Sequence, residues 1–384
     1  MIYPSLKTKK RIALLGATGS IGESSADIIT QDTECFDVVL LAAGKNADKL
    51  TELSKQFPNA KTVLTSHEGG EQRLLDLIAE LKPDITINGI SGSSGLKPSL
   101  AAINAGSDLA LANKETIVMA GHLVQKLAKE KNVNIIPVDS EHSAVFNLMR
   151  FFSGISNEDQ KSEVSEIILT ASGGPFRNFT LNQMQSVTLN DALSHPTWNM
   201  GPKITVDSAS MANKGLELIE ACFLFNMPPE KIKVVLHPQS IVHSMIRLCN
   251  GVFYAQLSKP DMRHPIHDAL YWPCLKESSL EPLNFDSLSL DFSKPDTERF
   301  PMLRLAYDAV KAGRLYPCAY NAANEIAAAA FMENKIRFPD IPKITENVLQ
   351  SDFSGSCLSL EAILNADTLA RIKANEILGS NKLK

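Results

Sequence analysis

A chain of 384 residues, 44% hydrophobic and 21% charged, has an ordinary globular composition and length enough for two or three cores. Its net charge of −5 and pI near 6 exclude the broad basic footprint of a nucleic-acid partner, although one cationic pocket would suffice for a small anion. Six scattered cysteines without a CxxC argue for reduced thiols, against a disulfide framework or a zinc site.

Near the start, Lys7, Lys9, Lys10 and Arg11 precede an apolar run at 12–15. The run is too short for a signal peptide and breaks at Gly16 and Gly19, so it is read as a first strand. No targeting segment and no transmembrane helix are expected. Further strands are expected at 38–42, 62–64, 85–88, 109–111 and 135–138, with helical spacing at 71–81 and 121–131. Strands separated by helices imply a parallel, doubly wound sheet. From about 150 to 290 strands at 166–170, 233–236, 240–247 and 252–257 mix with helices. The tail beyond 300 is helical, with an Ala-rich stretch at 322–331, and the Ser-, Pro- and Asp-rich stretch 276–299 is the candidate linker.

The first strand feeds Gly16-Ala17-Thr18-Gly19-Ser20-Ile21-Gly22 and then a helix. Glycines permit close backbone approach, and a helix N-terminus offers free N–H groups to an anion. The spacing is GxxGxxG rather than GxGxxG, so a plain strand–helix connection is the competing reading. An NAD site would place an acid at the end of the second strand. Here the strand runs into Ala43-Gly44-Lys45-Asn46. Lys45 would attract a 2′-phosphate that a carboxylate would repel, which points to NADP; a solvated lysine is the plain alternative.

Polar residues gather after later strands. Asn113-Lys114-Glu115 follows 109–111, and Asp139-Ser140-Glu141 follows 135–138. In extended backbone Asp139 and Glu141 would face one way, and two close carboxylates invite a hard cation. Alone, this pattern is better read as a solvated strand end. Further on, Asp207 or Ser208 is a plausible N-cap for a helix carrying Asn213, Lys214 and Glu217 on one face. A surface Lys–Glu pair is the competing reading. Ser172-Gly173-Gly174 offers a second anion-binding turn. Between these lies His195-Pro196-Thr197-Trp198-Asn199-Met200-Gly201, a lid or a packed loop.

The ordered set GATGSIG, AAGKN, ANKET, VDSEH, TASGGPF, HPTWNMG, VDSASMANKGLE, HPQSIVHS and NAANE, spanning about residues 10–325, resembles the 1-deoxy-D-xylulose 5-phosphate reductoisomerases. The resemblance implies an N-terminal Rossmann-like NADPH domain (1–149), a central α+β catalytic domain (150–275), a linker (276–300) and a C-terminal helical bundle (301–384). It implies Asp139, Glu141 and Glu217 as ligands of Mg²⁺, Mn²⁺ or Co²⁺, and Ser172, Ser208, Asn213 and Lys214 around the substrate phosphate. Lys114, Ser140 and His195 would contact the rest of the substrate, with Glu141 and Glu217 also reaching it and Lys114, Glu141 and His195 as the catalytic set. Thr18, Gly19, Ser20, Ile21, Gly44, Lys45, Asn46, Asn113, Glu115 and Gly201 would contact NADPH. The implied protein is a cytoplasmic homodimer acting on a sugar phosphate, without nucleic-acid or membrane partners.

Two other readings compete. A metal-independent NADP dehydrogenase of the semialdehyde or homoserine type would explain the first domain but not the three carboxylates. A non-catalytic NADP sensor would leave Lys214 and those carboxylates without a purpose.

Overall fold

The computed structural model describes residues 9–153, 163–198 and 200–380; Lys7 and the loop residue Asn199 lie outside them. In chain order the elements begin with β1 (Lys10–Leu15), α1 (Ser20–Gln31), β2 (Phe36–Ala43), α2 (Ala47–Gln56), β3 (Lys61–Leu64) and α3 (Gly70–Leu81). β4 (Ile85–Asn88), α4 (Leu96–Asn104), β5 (Asp108–Leu111), α5 (Lys114–Lys131), β6 (Ile135–Pro137) and α6 (Ser140–Ser153) follow. Next come β7 (Val164–Ala171), the short α7 (Leu181–Met184) and α8 (Leu189–Leu193), α9 (Pro202–Ala209) and α10 (Ala212–Leu224). β8 (Ile232–Leu236), β9 (Val242–Leu248), β10 (Phe253–Leu257) and α11 (Arg263–Tyr271) precede the tail. The tail consists of α12 (Pro301–Ala312), α13 (Tyr316–Met332), α14 (Asp340–Leu349) and α15 (Leu360–Gly379).

The described residues form two compact units. The first takes the chain to Thr116, then Val124–Ser143 and Asp261–Glu281; the second takes Ile117–Leu123, Ala144–Pro260 and everything from Pro282.

In the first unit six strands pair in parallel, in the order β3-β2-β1-β4-β5-β6. A parallel sheet is covered on both faces, so its central strands are apolar throughout. Ile12, Ala13, Leu14 and Leu15 are accordingly buried. The strand order reverses between β1 and β4, which in doubly wound folds opens a crevice at the strand C-termini. Gly16 sits there at φ +77°, and a Cβ on it would lie 2.7 Å from the carbonyl oxygen of Gly89 at the end of β4. Helix α11 returns to this unit and packs on α1, β5 and β6. Lys10 fastens it, its Nζ donating to the carbonyls of Leu270 (3.0 Å) and Trp272 (2.5 Å).

The second unit holds a four-stranded sheet ordered β10-β9-β7-β8. Only β7 and β8 pair in parallel; β9 runs antiparallel to both β7 and β10. Helix α10 packs on α12, and α13 packs on α14 and α15. The Ala-rich part of α13 buries Ala322, Ala323, Ala327, Ala328 and Ala330, small side chains that let helices approach closely. The 276–299 stretch contains no helix or strand beyond one bridge, Ser293 to Leu236. Its two ends are nevertheless pinned. Lys276 pairs with Asp32 in the first unit, and Phe292 stacks on His237 at 4.7 Å in the second. Among the described residues, no helix is long and apolar enough to cross a membrane.

Gly215 of α10 faces this helical layer. A Cβ there would stand 2.5 Å from Tyr320 Oη and 2.8 Å from Ala306 Cβ, whereas Gly379 faces open space. Gly215→Ala should therefore lower stability by about 1–3 kcal/mol through overpacking, and Gly379→Ala should leave it nearly unchanged. Thermal unfolding of the two variants measures the difference.

Candidate active site

The dinucleotide turn lies at the end of β1. Gly19 precedes α1 in extended conformation and gives it no side-chain cap, so the first N–H groups of the helix are left for an anion. Thr18 and Ile21 are half-buried there, and Gly19 and Ser20 are exposed. At the end of β2, Gly44, Lys45 and Asn46 are exposed; Asn46 Oδ1 accepts from Lys49 N and so starts α2.

Asn113 and Glu115 face inward instead. Asn113 Nδ2 donates to the carbonyls of Ile90 (2.6 Å) and Gly92 (2.8 Å), and its Oδ1 accepts from Thr116 N at 3.0 Å. Glu115 Oε1 accepts from Gly92 N. These two side chains shape the loop after β4 as well as starting α5.

Asp139 lies at a helix start, not in an extended strand end. Its carbonyl accepts from Ser143 N, and α6 begins at Ser140 with Glu141 in the first turn. The strand stops at Pro137, and the acids gain from the positive end of the helix. The two carboxylates thus owe their placement to a helix N-terminus, not to strand alternation. Asp139 Oδ2 meets Lys114 Nζ at 2.7 Å, and Asp139 Oδ1 lies 3.0 Å from His142 Nδ1. Ser140 Oγ donates to Glu141 Oε2 at 2.5 Å.

The remaining candidates belong to the second unit. Asp207 and Ser208 are not an N-cap: they lie in the last turn of α9, and α10 starts only after Met211, whose φ is +63°. The face expected from spacing is nonetheless present. Asn213 Nδ2 donates to Glu217 Oε1 at 2.5 Å, and Lys214 pairs with Glu217 Oε2. Glu217 is 1% exposed and Lys214 4%, so this is no surface pair. Met211 gives α10 no side-chain cap, and although Ser210 Oγ accepts from Ala212 N, the next N–H groups of the first turn lie beside Asn213 and Lys214.

Ser172 follows β7, and its Oγ lies 3.0 Å from His195 Nε2. His195 Nδ1 accepts from Thr197 N and Trp198 N, so Nε2 carries the proton and donates to Ser172. Trp198 lies 6.3 Å from the ring of His243, and Gly201 opens α9 with Pro202 in its first turn.

The 1-deoxy-D-xylulose 5-phosphate reductoisomerase model matches residues 12–69 and 58–121. Two C-terminal domain models of the same enzyme match residues 135–225 and 257–373. The reductoisomerase of Treponema denticola is 46% identical over 371 residues, covering 94% of this chain and 96% of that protein. The chain belongs to the 1-deoxy-D-xylulose 5-phosphate reductoisomerase family.

Another family member, from Pelodictyon phaeoclathratiforme, is 46% identical over 388 residues and covers 96% and 100% of the two chains. The Zymomonas mobilis reductoisomerase, solved with NADPH, superposes with a TM-score of 0.87 at 41% identity, over 97% of this chain and all of that one. A reductoisomerase solved with NADPH, fosmidomycin and magnesium gives 0.89 at 37% identity, over 96% and 98%.

His142, inside the motif VDSEH, carries no signal that sequence reasoning reads as a role. It is fully buried and is drawn to Asp139 three residues earlier. The i,i+3 spacing would have paired them had a helix been expected. Sequence reasoning gives Asp207 only a capping role, although Lys203 and Asn324 hold its side chain.

Desolvation, and secondarily the charge of Arg177, holds the His195 pKa below its ordinary 6.5. The unfolded chain therefore takes up a proton near pH 6.5 that the folded chain resists. Stability contributed by neutral His195 is complete above that pH and is lost as pH falls through the lower folded value. The thermal midpoint of the protein should fall more steeply from pH 8 to pH 5 than that of His195→Asn; parallel profiles would remove His195 from the account.

Proposed function

We infer that this chain uses NADPH and a divalent cation to convert 1-deoxy-D-xylulose 5-phosphate into 2-C-methyl-D-erythritol 4-phosphate, a step toward isoprenoid precursors. Family membership along nearly the full chain carries this reading. The local geometry supports it: a bare helix start for a pyrophosphate, a lysine at the end of β2, and carboxylates each placed beside a cation or donor.

We propose the following division of labour. Thr18, Gly19, Ser20, Ile21, Gly44, Lys45, Asn46, Asn113, Glu115 and Gly201 receive NADPH. The side chains of Asn46 and Asn113 act there by shaping their turns. Asp139, Glu141 and Glu217 hold the cation. All three offer oxygen alone, a donor set that fits a hard ion such as Mg²⁺. Ser172, Ser208, Asn213 and Lys214 hold the phosphate, with the first turn of α10 adding N–H groups. When bound, the cation supplies Lewis acidity at the ketone and adjacent hydroxyl, and NADPH supplies the hydride that reduces the rearranged aldehyde.

The chain's own groups do the rest. Lys114, fixed by Asp139, presents a positioned ammonium toward the substrate's oxygen atoms. His195, a neutral imidazole with its proton on Nε2, can donate a hydrogen bond there while Ser172 orients it. Ser140 orients Glu141. The 195–201 loop excludes water from the reactive aldehyde. We further propose a cytoplasmic homodimer without nucleic-acid or membrane partners, and domains at 1–149, 150–275 and 301–384 joined by 276–300.

The deciding assay is NADPH oxidation with 1-deoxy-D-xylulose 5-phosphate, with and without EDTA. A metal-independent dehydrogenase would ignore the chelator. Asp139→Asn, Glu141→Gln and Glu217→Gln should each lower turnover by roughly 100-fold or more, while NADPH titration stays near wild type. Full activity in Glu217→Gln alone would leave it as the partner of Lys214 and nothing more.

Lys45→Glu exchanges attraction for repulsion at the 2′-phosphate. The KM for NADPH should rise at least about tenfold, with little change for NADH. An unaltered preference between the two cofactors would assign the phosphate to another residue.

A further inference from the structure

Asp207 has no place among the groups assigned to ligands, yet its situation is unusual for an acid. It is 1% exposed and lies in the last turn of α9. Burial penalises its charge, and the carbonyl end of a helix repels it. The next residue, Ser208, is assigned to a substrate phosphate of the same sign. An acid in that position needs a compensating role.

Two partners hold it. Lys203 Nζ, one turn earlier on α9, lies 2.8 Å from Oδ2. Asn324 Nδ2 donates to Oδ1 at 2.9 Å, from a fully buried position on α13, 117 residues further along the chain. The end of α9 is thereby tied to the C-terminal helical layer. Beyond the tie the backbone turns tightly. Ser210 Oγ donates to the Asp207 carbonyl at 3.2 Å and accepts from Ala212 N at 3.3 Å, and Met211 adopts its left-handed φ between them. Across the corner, a Cβ on Gly174 would lie 2.7 Å from the Ser208 carbonyl oxygen, so the Ser172 turn is pressed against the same segment.

We propose that Asp207 and Asn324 are positioning residues for phosphate binding. Their hydrogen bond fixes the 208–213 corner, and so sets Ser208, Asn213 and the start of α10 in the spacing a phosphate requires. This rests on the assignment of those groups to the substrate phosphate. The pair itself contacts no ligand. A merely structural tie would alter stability and leave ligand affinity alone.

The test measures steady-state kinetics, competitive inhibition by inorganic phosphate and thermal unfolding on three variants. Asn324→Ala removes the donor; KM for 1-deoxy-D-xylulose 5-phosphate and the inhibition constant of phosphate should both rise about tenfold, with kcat and the KM for NADPH within about twofold. Asp207→Ala removes the acceptor from the other side of the same hydrogen bond, so the same two constants should rise about tenfold as well. It also serves if Asn324→Ala does not fold. Ser208→Ala tests the underlying assignment directly. If Ser208→Ala leaves both constants unchanged, the phosphate assignment fails and takes this inference with it. If Ser208→Ala raises them while the folded Asn324 and Asp207 variants merely melt earlier with wild-type constants, the assignment stands and the positioning role is overturned.

Discussion

A carboxylate withdrawn from water must find a cation or several donors, because the desolvation it suffers otherwise amounts to several kcal/mol. This constraint recurs at three little-exposed acids, one in the first unit and two in the second. Asp139 has Lys114, Asp207 has Lys203 and Glu217 has Lys214. Each lysine is thereby held in one place before any ligand arrives. Fixed charges need no reorganisation when a negative or polarised substrate binds, which is the main advantage of a preorganised site over bulk water. The same pairing explains why these lysines can sit under so little solvent: Lys114 and Lys214 are almost fully buried.

Helix starts supply the second kind of fixed charge. Asn46 and Asn113 cap α2 and α5 with their own side chains, which consumes an N–H that could otherwise face a ligand. The start of α1 receives no such cap, and at α10 Ser210 Oγ takes only the first N–H, that of Ala212. A bare start is not a site by itself, since α3 and α12 also lack side-chain caps. What sets α1 and α10 apart is their surroundings. Gly16 brings the backbone of the first turn tight against the β4 loop, and Asn213 with Lys214 adds side-chain donors to the second.

The strands of the first sheet are readable because their residues are buried on both faces, which leaves uninterrupted apolar runs; β4 has its expected bounds, β1 begins two residues earlier, and β2 begins two residues earlier and ends one later. The helix at 140 was also written in the chain. Ala144, Val145, Leu148 and Met149 recur at helical spacing behind an acid-rich first turn, but the preceding strand invited an extended reading of Asp139-Ser140-Glu141. The break between α9 and α10 was not readable. No glycine or proline stands at 210–212, yet Met211 takes a left-handed conformation beside Ser210, whose Oγ accepts from Ala212 N, and Asp207 just before the break is bonded to Asn324, far away in sequence. The return of α11 to the first sheet was equally hidden, since it depends on the pairing of Lys10 with carbonyls some 260 positions later. Local pattern reports local geometry, whereas long-range hydrogen bonds leave no periodic trace.

That return has a consequence for synthesis. The chain passes between the two units after Thr116, Leu123, Ser143, Pro260 and Glu281. Neither unit is therefore one continuous stretch, and no single cut in the gene would release either of them whole. A growing chain emerging from the ribosome has all six strands of the first sheet by Pro137, yet α11 and the anchor for Lys10 arrive only around Tyr271. Throughout that interval the face of α1 and the edge at β5 and β6 that α11 will cover stay open to water. Nascent chains with uncovered apolar surface are the ones prone to aggregation, so the vulnerable window in the birth of this protein is the translation of residues 138–271.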